Sequence, residues 1–552
     1  MPIFEPDSDT VTGPLIPGAP EEEVLRGDEI QGAVVPGFGT SFQHLFALRF
    51  SGTATLRMFL SRPHAQVSTL DEVMEQRNLR RAALRRGEDK PRTPVMRAVA
   101  LSMPGLSMLT PDADDINDTP FKRGMRARSR HLGDPKTRET EGHPSTWLFG
   151  GTESTVPHVL VVLAAEWSRD LDRGADELRD AAETVGEILW EQRGSVLSGA
   201  KEHFGFRDGV SQVAIRGRLS DSPRHFLTRR WFDPADRRAL EYARPGQPLV
   251  WPGQFVFGYR RGDPLDSLSG GSVKPGGAPW TQDGSLLVLR RLRQNVPAFR
   301  EFVSSEAARL SQLTGFADMT ADKLAAKIVG RWPDGSALAR TPVEPNSGEA
   351  SDMLCINAFE YSAEWEPANV CSDPKVKEEG LEAAVIGELR TVPGAAADTF
   401  GVQCPRFAHV RKVNPRGLNT DQANSPLSTR QFQMLRRGIT WGSEYSAADA
   451  ADDGDRGLLF MSYQTSIANQ FEKLTLAWMN LEDPPEGPSG QDLLVGQDNE
   501  RTVRRAVLRS DDPAHPDTAE PISTETPWIV ATGGEYLFAP SKAALRQFVQ
   551  ER

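Results

Sequence analysis

The sequence predicts an α+β protein made of two units of similar plan, and three observations carry that prediction. Strand-like and helix-like segments alternate through the first part of the chain. The same alternation returns in the second half. At 552 residues the chain also exceeds what one core organises, since single cores stop growing near about 250–300 residues. We place an extended arm at residues 1–27, an N-terminal domain at 28–214 and a C-terminal domain with long insertions at 215–552.

Taken in order, residues 44–50 predict a strand and 69–86 a helix that exposes Arg77, Arg80, Arg81, Arg85 and Arg86. This cluster and the run from Lys122 to Arg130 are read as solvated faces paired with nearby acids, with an anionic partner as the alternative. Residues 110–141 are polar and turn-rich and read as a surface insertion. Residues 156–165 are the strongest strand of the first half. Residues 168–194 read as one amphipathic helix, with Leu171, Leu178, Ala182, Val185, Ile188 and Leu189 at helical spacing.

Beyond residue 215, segments 255–259 and 285–291 predict strands around the glycine-rich loop 270–277, which lacks the order of a phosphate loop. Helices follow at 295–314 and 320–329, then a poorly patterned stretch at 340–400. The chain closes with a strand at 457–463, a helix at 467–479, a strand from 528 and a helix at 542–550.

Composition narrows the function classes. With 64 basic and 76 acidic residues the net charge is −12, which argues against a protein built to neutralise nucleic-acid phosphates. No window approaches the roughly 20 apolar residues needed to span a bilayer. Neither a basic, apolar leader nor a twin-arginine signal opens the chain, and Cys355, Cys371 and Cys404 show no C-x-x-C spacing. A cytoplasmic protein is the expectation.

Three stretches carry candidate chemistry. The first, from Cys404 to Gly417, places His409 in an apolar setting that reads as a short buried strand, followed by Arg411, Lys412 and Arg416. The nine histidines show no zinc-binding spacing. A lone histidine still serves as a metal ligand when the cofactor brings the other ligands, as haem does. The alternative is a structural histidine. The second stretch holds Gly205-Phe206-Arg207-Asp208-Gly209, whose glycines let the backbone turn tightly around an acid; a plain turn is the alternative. The third holds Arg436 and Arg437, 27 and 28 residues after the histidine, where a guanidinium provides a permanent charge. Gly37-Phe38-Gly39 lacks the third glycine of a dinucleotide loop and is set aside.

Together these stretches resemble the dye-decolorizing haem peroxidases. The resemblance rests on Glu202-His-Phe-Gly-Phe-Arg-Asp-Gly-Val-Ser-Gln212, Ala408-His-Val-Arg-Lys-Val-Asn-Pro-Arg416 and Leu435-Arg-Arg-Gly-Ile439. It extends to blocks at 30–37, 456–464 and 533–541, in the family's order, and the length is similar to its larger, advanced branch. It implies two ferredoxin-like domains, each an antiparallel sheet covered by helices, and one haem b per chain. His409 would be the proximal ligand, Asp208 the distal acid–base and Arg436 the distal arginine. Leu458 and Phe460 would wall the distal pocket, sharing one face of a strand.

An acid usually bonds the outer nitrogen of such a histidine, and Glu535 is the candidate, with Glu525 second. Arg411 and Arg416 would hold the propionates. The implied reaction reduces hydrogen peroxide and oxidises small organic, dye-like or phenolic reductants by one-electron steps. The alternative is a haem carrier or deferrochelatase-like protein with incidental peroxidase activity. Neither nucleic acid nor membrane is an expected partner, and the oligomeric state is left open. Two departures from the family pattern, Thr440-Trp441 after the arginine and Arg406 before the histidine, bear on pocket access; Trp441 reads as packing, with an electron relay as the alternative.

Overall fold

The structure, a computed structural model, describes residues 16–550 except 17, 223–224, 264–265, 267, 372–388, 419, 421–425, 447–453 and 500–502. Most of the predicted arm at 1–27, and part of the unpatterned 340–400 stretch, lie outside the described residues.

The N-terminal unit runs β1 (Phe42–Phe50), α1 (Leu70–Arg85), β2 (Met96–Ser102), α2 (Thr119–Leu132), β3 (Val159–Ala165), α3 (Ser168–Val185) and β4 (Gly186–Ser195). Its strands lie in the order β4-β1-β3-β2, all antiparallel. This is the ferredoxin-like arrangement. Local chemistry starts α1: Thr69 caps the Glu72 N–H while the Glu72 carboxylate accepts the Thr69 N–H at 2.9 Å.

The C-terminal unit repeats the plan with β5 (Ser285–Gln294), α4 (Val296–Leu310), α5 (Ala321–Val329), α6 (His409–Val413), β6 (Leu435–Arg436), β7 (Ile439–Trp441), β8 (Gly457–Gln464), β9 (Ile529–Ala539) and α7 (Lys542–Gln550). β6 and β7 pair with β8, β8 with β5, and β5 with β9. Two π-helical segments, Ala468–Glu472 and Leu474–Met479, occupy the place of the second crossover helix. Arg128 of α2 clasps Glu472 through two hydrogen bonds of 2.9 and 2.6 Å, and the Tyr536 hydroxyl donates to the same carboxylate at 3.0 Å. These contacts hold the π-helical stretch against the sheet.

The two sheets join edge to edge where β9 pairs with β2, at Leu537↔Ser102 and Phe538↔Leu101. At the other edge β7 abuts β4: the Thr440 hydroxyl donates to the Ser195 carbonyl, and a Cβ on Gly194 would lie 2.6 Å from Ile439. The nine strands therefore close into a barrel, which leaves no long edge exposed between the units. Strand alternation sorts the core into two sets. Leu45, Ala47, Val162, Leu289, Met461 and Tyr463 fill the interior, whereas Phe46, Leu48, Val161, Val288 and Tyr536 face the outer helices.

Four expectations change. The amphipathic run 168–194 is not one helix: α3 ends at Val185 and Gly186–Ser195 pairs with β1, so ladder formation overrides helical spacing in Ile188 and Leu189. Residues 255–259 are no strand. They form turns through Gly258 at φ +90°, and their apolar side chains are buried without pairing. Within 110–141, α2 is no surface insertion, because it buries Phe121, Met125 and Leu132. Finally, residues around His409 form the helical turn α6, not a strand.

Gly457 sits where β8 passes β5, and a Cβ there would lie 1.9 Å from the Leu292 carbonyl oxygen. Gly457→Val should destabilise the protein by about 1–3 kcal/mol or more through overpacking. Denaturant unfolding of the two proteins checks this; an unchanged midpoint would contradict the packing described.

Candidate active site

A cavity of about 650 Å³ lies against the outer face of the barrel and gathers most of the predicted site residues. His409, Asp208, Arg436, Leu458, Phe460 and Arg416 all line it. Strand register explains part of this grouping. Arg436 pairs with Ser462 of β8, and Leu458 and Phe460 alternate with Ser462 on the same strand. Paired residues and i, i+2 residues share a face, so the arginine and both apolar groups point to one side.

His409 begins α6, which packs closely on the end of α5: a Cβ on Gly330, at φ +95°, would come within 2.2 Å of Val410. The His409 side chain is 30% exposed, toward the cavity. Its Nδ1 bonds Asp492 Oδ2 at 2.7 Å. Asp492 is fully buried, and its other oxygen accepts the N–H groups of Leu494 and Val495 at 3.0 and 3.1 Å. The carboxylate is thus fixed on both sides, which orients the imidazole and leaves Nε2 for a ligand.

The acid on His409 is therefore Asp492 and not Glu535. Glu535 is spent elsewhere, accepting the N–H of Met125 in α2 at 2.9 Å and that of Tyr536 at 2.7 Å. Burial pushes its pKa up to about 7. Glu525 makes no contact with His409 either, since the Asp492 carboxylate occupies Nδ1. Sequence reasoning missed Asp492 because it follows the histidine by 83 residues in a loop without a motif.

The basic tail also divides. Arg411 is fully buried and spends its donors on the Glu486 carboxylate at 2.9 and 2.7 Å, on Asp398 and on the Cys404 and Thr399 carbonyls. With no donor left for the cavity, it is no propionate partner. Lys412 donates to the Leu481 and Pro484 carbonyls, both at 2.7 Å. These two residues clamp the segment leading to Asp492. Arg416 reaches the cavity wall, bonding Asn357 and Ser211. Arg207 and Arg331, which sequence reasoning passed over, line the same wall.

Asp208 is exposed to the cavity on a turn whose glycines adopt φ +101° at Gly205 and +72° at Gly209. Half-buried Glu202 organises that turn by accepting the Phe204 and Phe206 N–H groups, each at 2.9 Å. The Arg436 Nη2 donates to the Ser211 carbonyl at 2.8 Å, tying the arginine to the segment after Asp208. Burial lowers the Arg436 pKa from its ordinary value, and the charge of Asp208 opposes that shift. Trp441 does not line this cavity: it is buried, with the Arg291 guanidinium 3.6 Å above its ring, so it packs.

The residues fit a haem. One imidazole nitrogen is free while the other is anchored, and apolar Leu292, Val329, Leu458 and Phe460 flank the space. Arg416 and Arg331 add positive charge to the same wall, each held there by Ser211 and Asn357. An anchored imidazole, an acid and an arginine around one cavity define a haem-peroxidase type of site.

Comparison with known proteins agrees. Residues 29–196 match the dimeric α+β barrel domain of dye-decolorizing peroxidases. A dye-decolorizing peroxidase of Mycena epipterygia is 30% identical over 473 residues, spanning 81% of this chain and 74% of that one. The multifunctional dye peroxidase of an Amycolatopsis strain is 28% identical, over 78% of this chain and 77% of its own. Among solved structures, an ancestral D-type dye-decolorizing peroxidase superposes with a TM-score of 0.72 at 25% identity, covering 96% of this chain and all of that one. The chain belongs to the dye-decolorizing peroxidase family, and it is a haem-dependent peroxidase. The carrier alternative finds no support in these relatives.

Removing the anchor should weaken cofactor binding: Asp492→Ala is expected to lower haem affinity by about 10–100-fold, read by titrating haem into the purified chain. Unchanged affinity would contradict the anchoring role. Glu535 gives a pH test. As an acid whose folded pKa is raised from its ordinary 4.5 to about 7, it withdraws stability as pH rises through that window. Relative to Glu535→Gln, the wild type should lose about 3 kcal/mol between pH 4.5 and 7, measured by unfolding at each pH.

Proposed function

We propose that His409 would hold one haem b per chain, with Asp208 and Arg436 as the groups that act on hydrogen peroxide. The observation that carries the reading is the Asp492–His409 pair, which leaves a single oriented nitrogen facing the cavity that also holds Asp208 and Arg436. The haem, when bound, supplies the iron at which peroxide is reduced and the electron store that organic reductants refill.

The protein's own residues then divide the work. Asp208, exposed on its glycine-framed turn, accepts a proton from one peroxide oxygen and returns it to the departing oxygen, which leaves as water. Arg436, held by the Ser211 carbonyl, stabilises the negative charge that develops as the O–O bond breaks. Its anchored position means little reorganisation is needed at that moment. Leu458 and Phe460 exclude water and limit the size of what reaches the acid. Asp492 holds the His409 proton at Nδ1 and so strengthens Nε2 as a donor.

Arg416 would hold a propionate, and Arg331 and Arg207 extend the cationic wall beside it. Phenolic and dye-like reductants are the substrate class. A related structure, of similar fold with a TM-score of 0.67, is a dye-decolorizing peroxidase in complex with 2,6-dimethoxyphenol. Cys355, Cys371 and Cys404 are buried and unbridged, which favours a reducing compartment, and no described helix is long and apolar enough to cross a membrane.

Arg436→Leu should cut the rate of peroxide reduction by about 100–1,000-fold while the haem absorption band persists. Stopped-flow mixing with peroxide checks it, and a wild-type rate in this variant would remove Arg436 from the mechanism. His409→Ala should abolish or severely weaken haem retention in the same preparation.

A further inference from the structure

The strand alternation that aims Arg436 at the catalytic cavity aims its neighbour the other way. Arg437 lies beside the pairing of Leu435 with Tyr463, whose side chains belong to the barrel interior. The cavity continues past Arg437 and Gly438 to the barrel mouth, where Arg437 meets Arg77 of α1. Both guanidiniums flank Gly37. Arg77 Nη2 donates to the Gly37 carbonyl, and a Cβ on Gly37 would stand 2.5 Å from Arg437 Nε. Gly37 and Gly39 take positive φ values of +85° and +63°, so the Gly37-Phe38-Gly39 stretch forms a tight cradle between the two arginines.

Among the described residues neither arginine meets a carboxylate. Arg77 donates to the Pro36 and Gly37 carbonyls. Arg437 donates to those of Ala33, Val34 and Arg436. Their helix neighbours differ: Arg80 pairs with Glu166 at 2.9 Å and Arg86 with Glu88 at 2.7 Å. Burial lowers the pKa of Arg77 to about 10 and of Arg437 to about 9, and each arginine's cationic neighbours push it further in the same direction. Carbonyl dipoles solvate two clustered cations but do not neutralise them, so the mouth carries uncompensated positive charge.

A third polar group points into the same space. Gln43 is 9% exposed, lines the cavity, and its Oε1 has no hydrogen-bond partner. Turning the amide over would present N–H groups instead. The remaining wall is apolar, formed by Ala33, Phe38, Val162 and Ile439. Exposed Gly39, Gly438 and Val196 open it to solvent.

We propose that the barrel mouth between Arg77 and Arg437 is a binding site for a small organic anion, whose carboxylate or sulfonate head sits between the two guanidiniums and whose apolar body rests on Phe38 and Ile439. The site is distinct from the peroxide-handling groups, because β6 and β8 separate Arg437 from Arg436's face. It gives a function to the cradle at 37–39, and it sets Arg77 apart from Arg80 and Arg86, which pair with acids.

Equilibrium binding to the haem-loaded protein tests this, using benzenesulfonate, inorganic sulfate and benzyl alcohol at constant ionic strength. Benzenesulfonate should bind saturably and at least tenfold more tightly than either of the others. Arg77→Gln should weaken it at least tenfold, Arg77→Lys should restore part of the affinity, and Arg436→Leu should leave it within threefold. Benzyl alcohol binding as tightly would overturn the anionic assignment, and sulfate binding as tightly would overturn the organic one. If affinity is lost in Arg436→Leu but kept in Arg77→Gln, the anion sits in the catalytic cavity and the proposal fails. The comparison of the three compounds on wild-type protein decides the matter even if Arg77→Gln does not fold. Neither result depends on peroxide turnover, so the assignment of Asp208 and Arg436 stands or falls separately.

Discussion

His409 can offer one nitrogen to a metal only because a buried carboxylate holds the other. That hydrogen bond, 2.7 Å from Nδ1 to Asp492, rests on a chain of further constraints. Asp492 is held by two backbone N–H groups, and the segment carrying it is clamped by Arg411 through Glu486 and by Lys412 through two carbonyls. A carboxylate taken out of water without partners would be costly, so these donors are what allow Asp492 to stay in place beside the imidazole. The basic residues after His409 thus act indirectly, by building the wall behind its imidazole.

The barrel supplies the opposite requirement, a rigid surface that presents Arg436, Leu458 and Phe460 to the cavity. Closing nine strands through β9–β2 on one side and β7 against β4 on the other fixes β6 and β8 in register. Register in turn sets which residues share a face, and a slip by one residue would exchange Arg436 for Arg437 in the catalytic cavity. The π-helical stretch adds the last wall. Phe471 and Leu474 line the cavity, while Glu472 turns away to Arg128 and Tyr536. Such wide turns recur at functional sites because they redirect side chains that a regular helix would stack in line.

Charge distribution separates two regions that the composition hides. A net charge of −12 gives no hint that Arg77, Arg207, Arg331, Arg416, Arg436 and Arg437 converge on one continuous cavity. Part of that charge suits the acidic edge of a haem, and Asp208 balances Arg436. The pair at the barrel mouth has no such balance among the described residues.

The sequence by itself determined the fold class, the central strands and the three segments that meet at the cavity. These features are local: apolar runs along 44–50 and 457–463, the capping box at Thr69, and glycines that permit the turn around Asp208. Tertiary structure decided the rest. The stretch after Val185 became a strand because β1 offered it a partner, although its spacing suited a helix. Asp492 took the place expected for Glu535, and Arg411 became a buried clamp, because both outcomes depend on which distant loop packs behind α6. Partners 83 and 75 residues away leave no periodic trace in the chain. Only packing can name them, because a carboxylate is assigned by the donors that surround it and not by its neighbours in sequence.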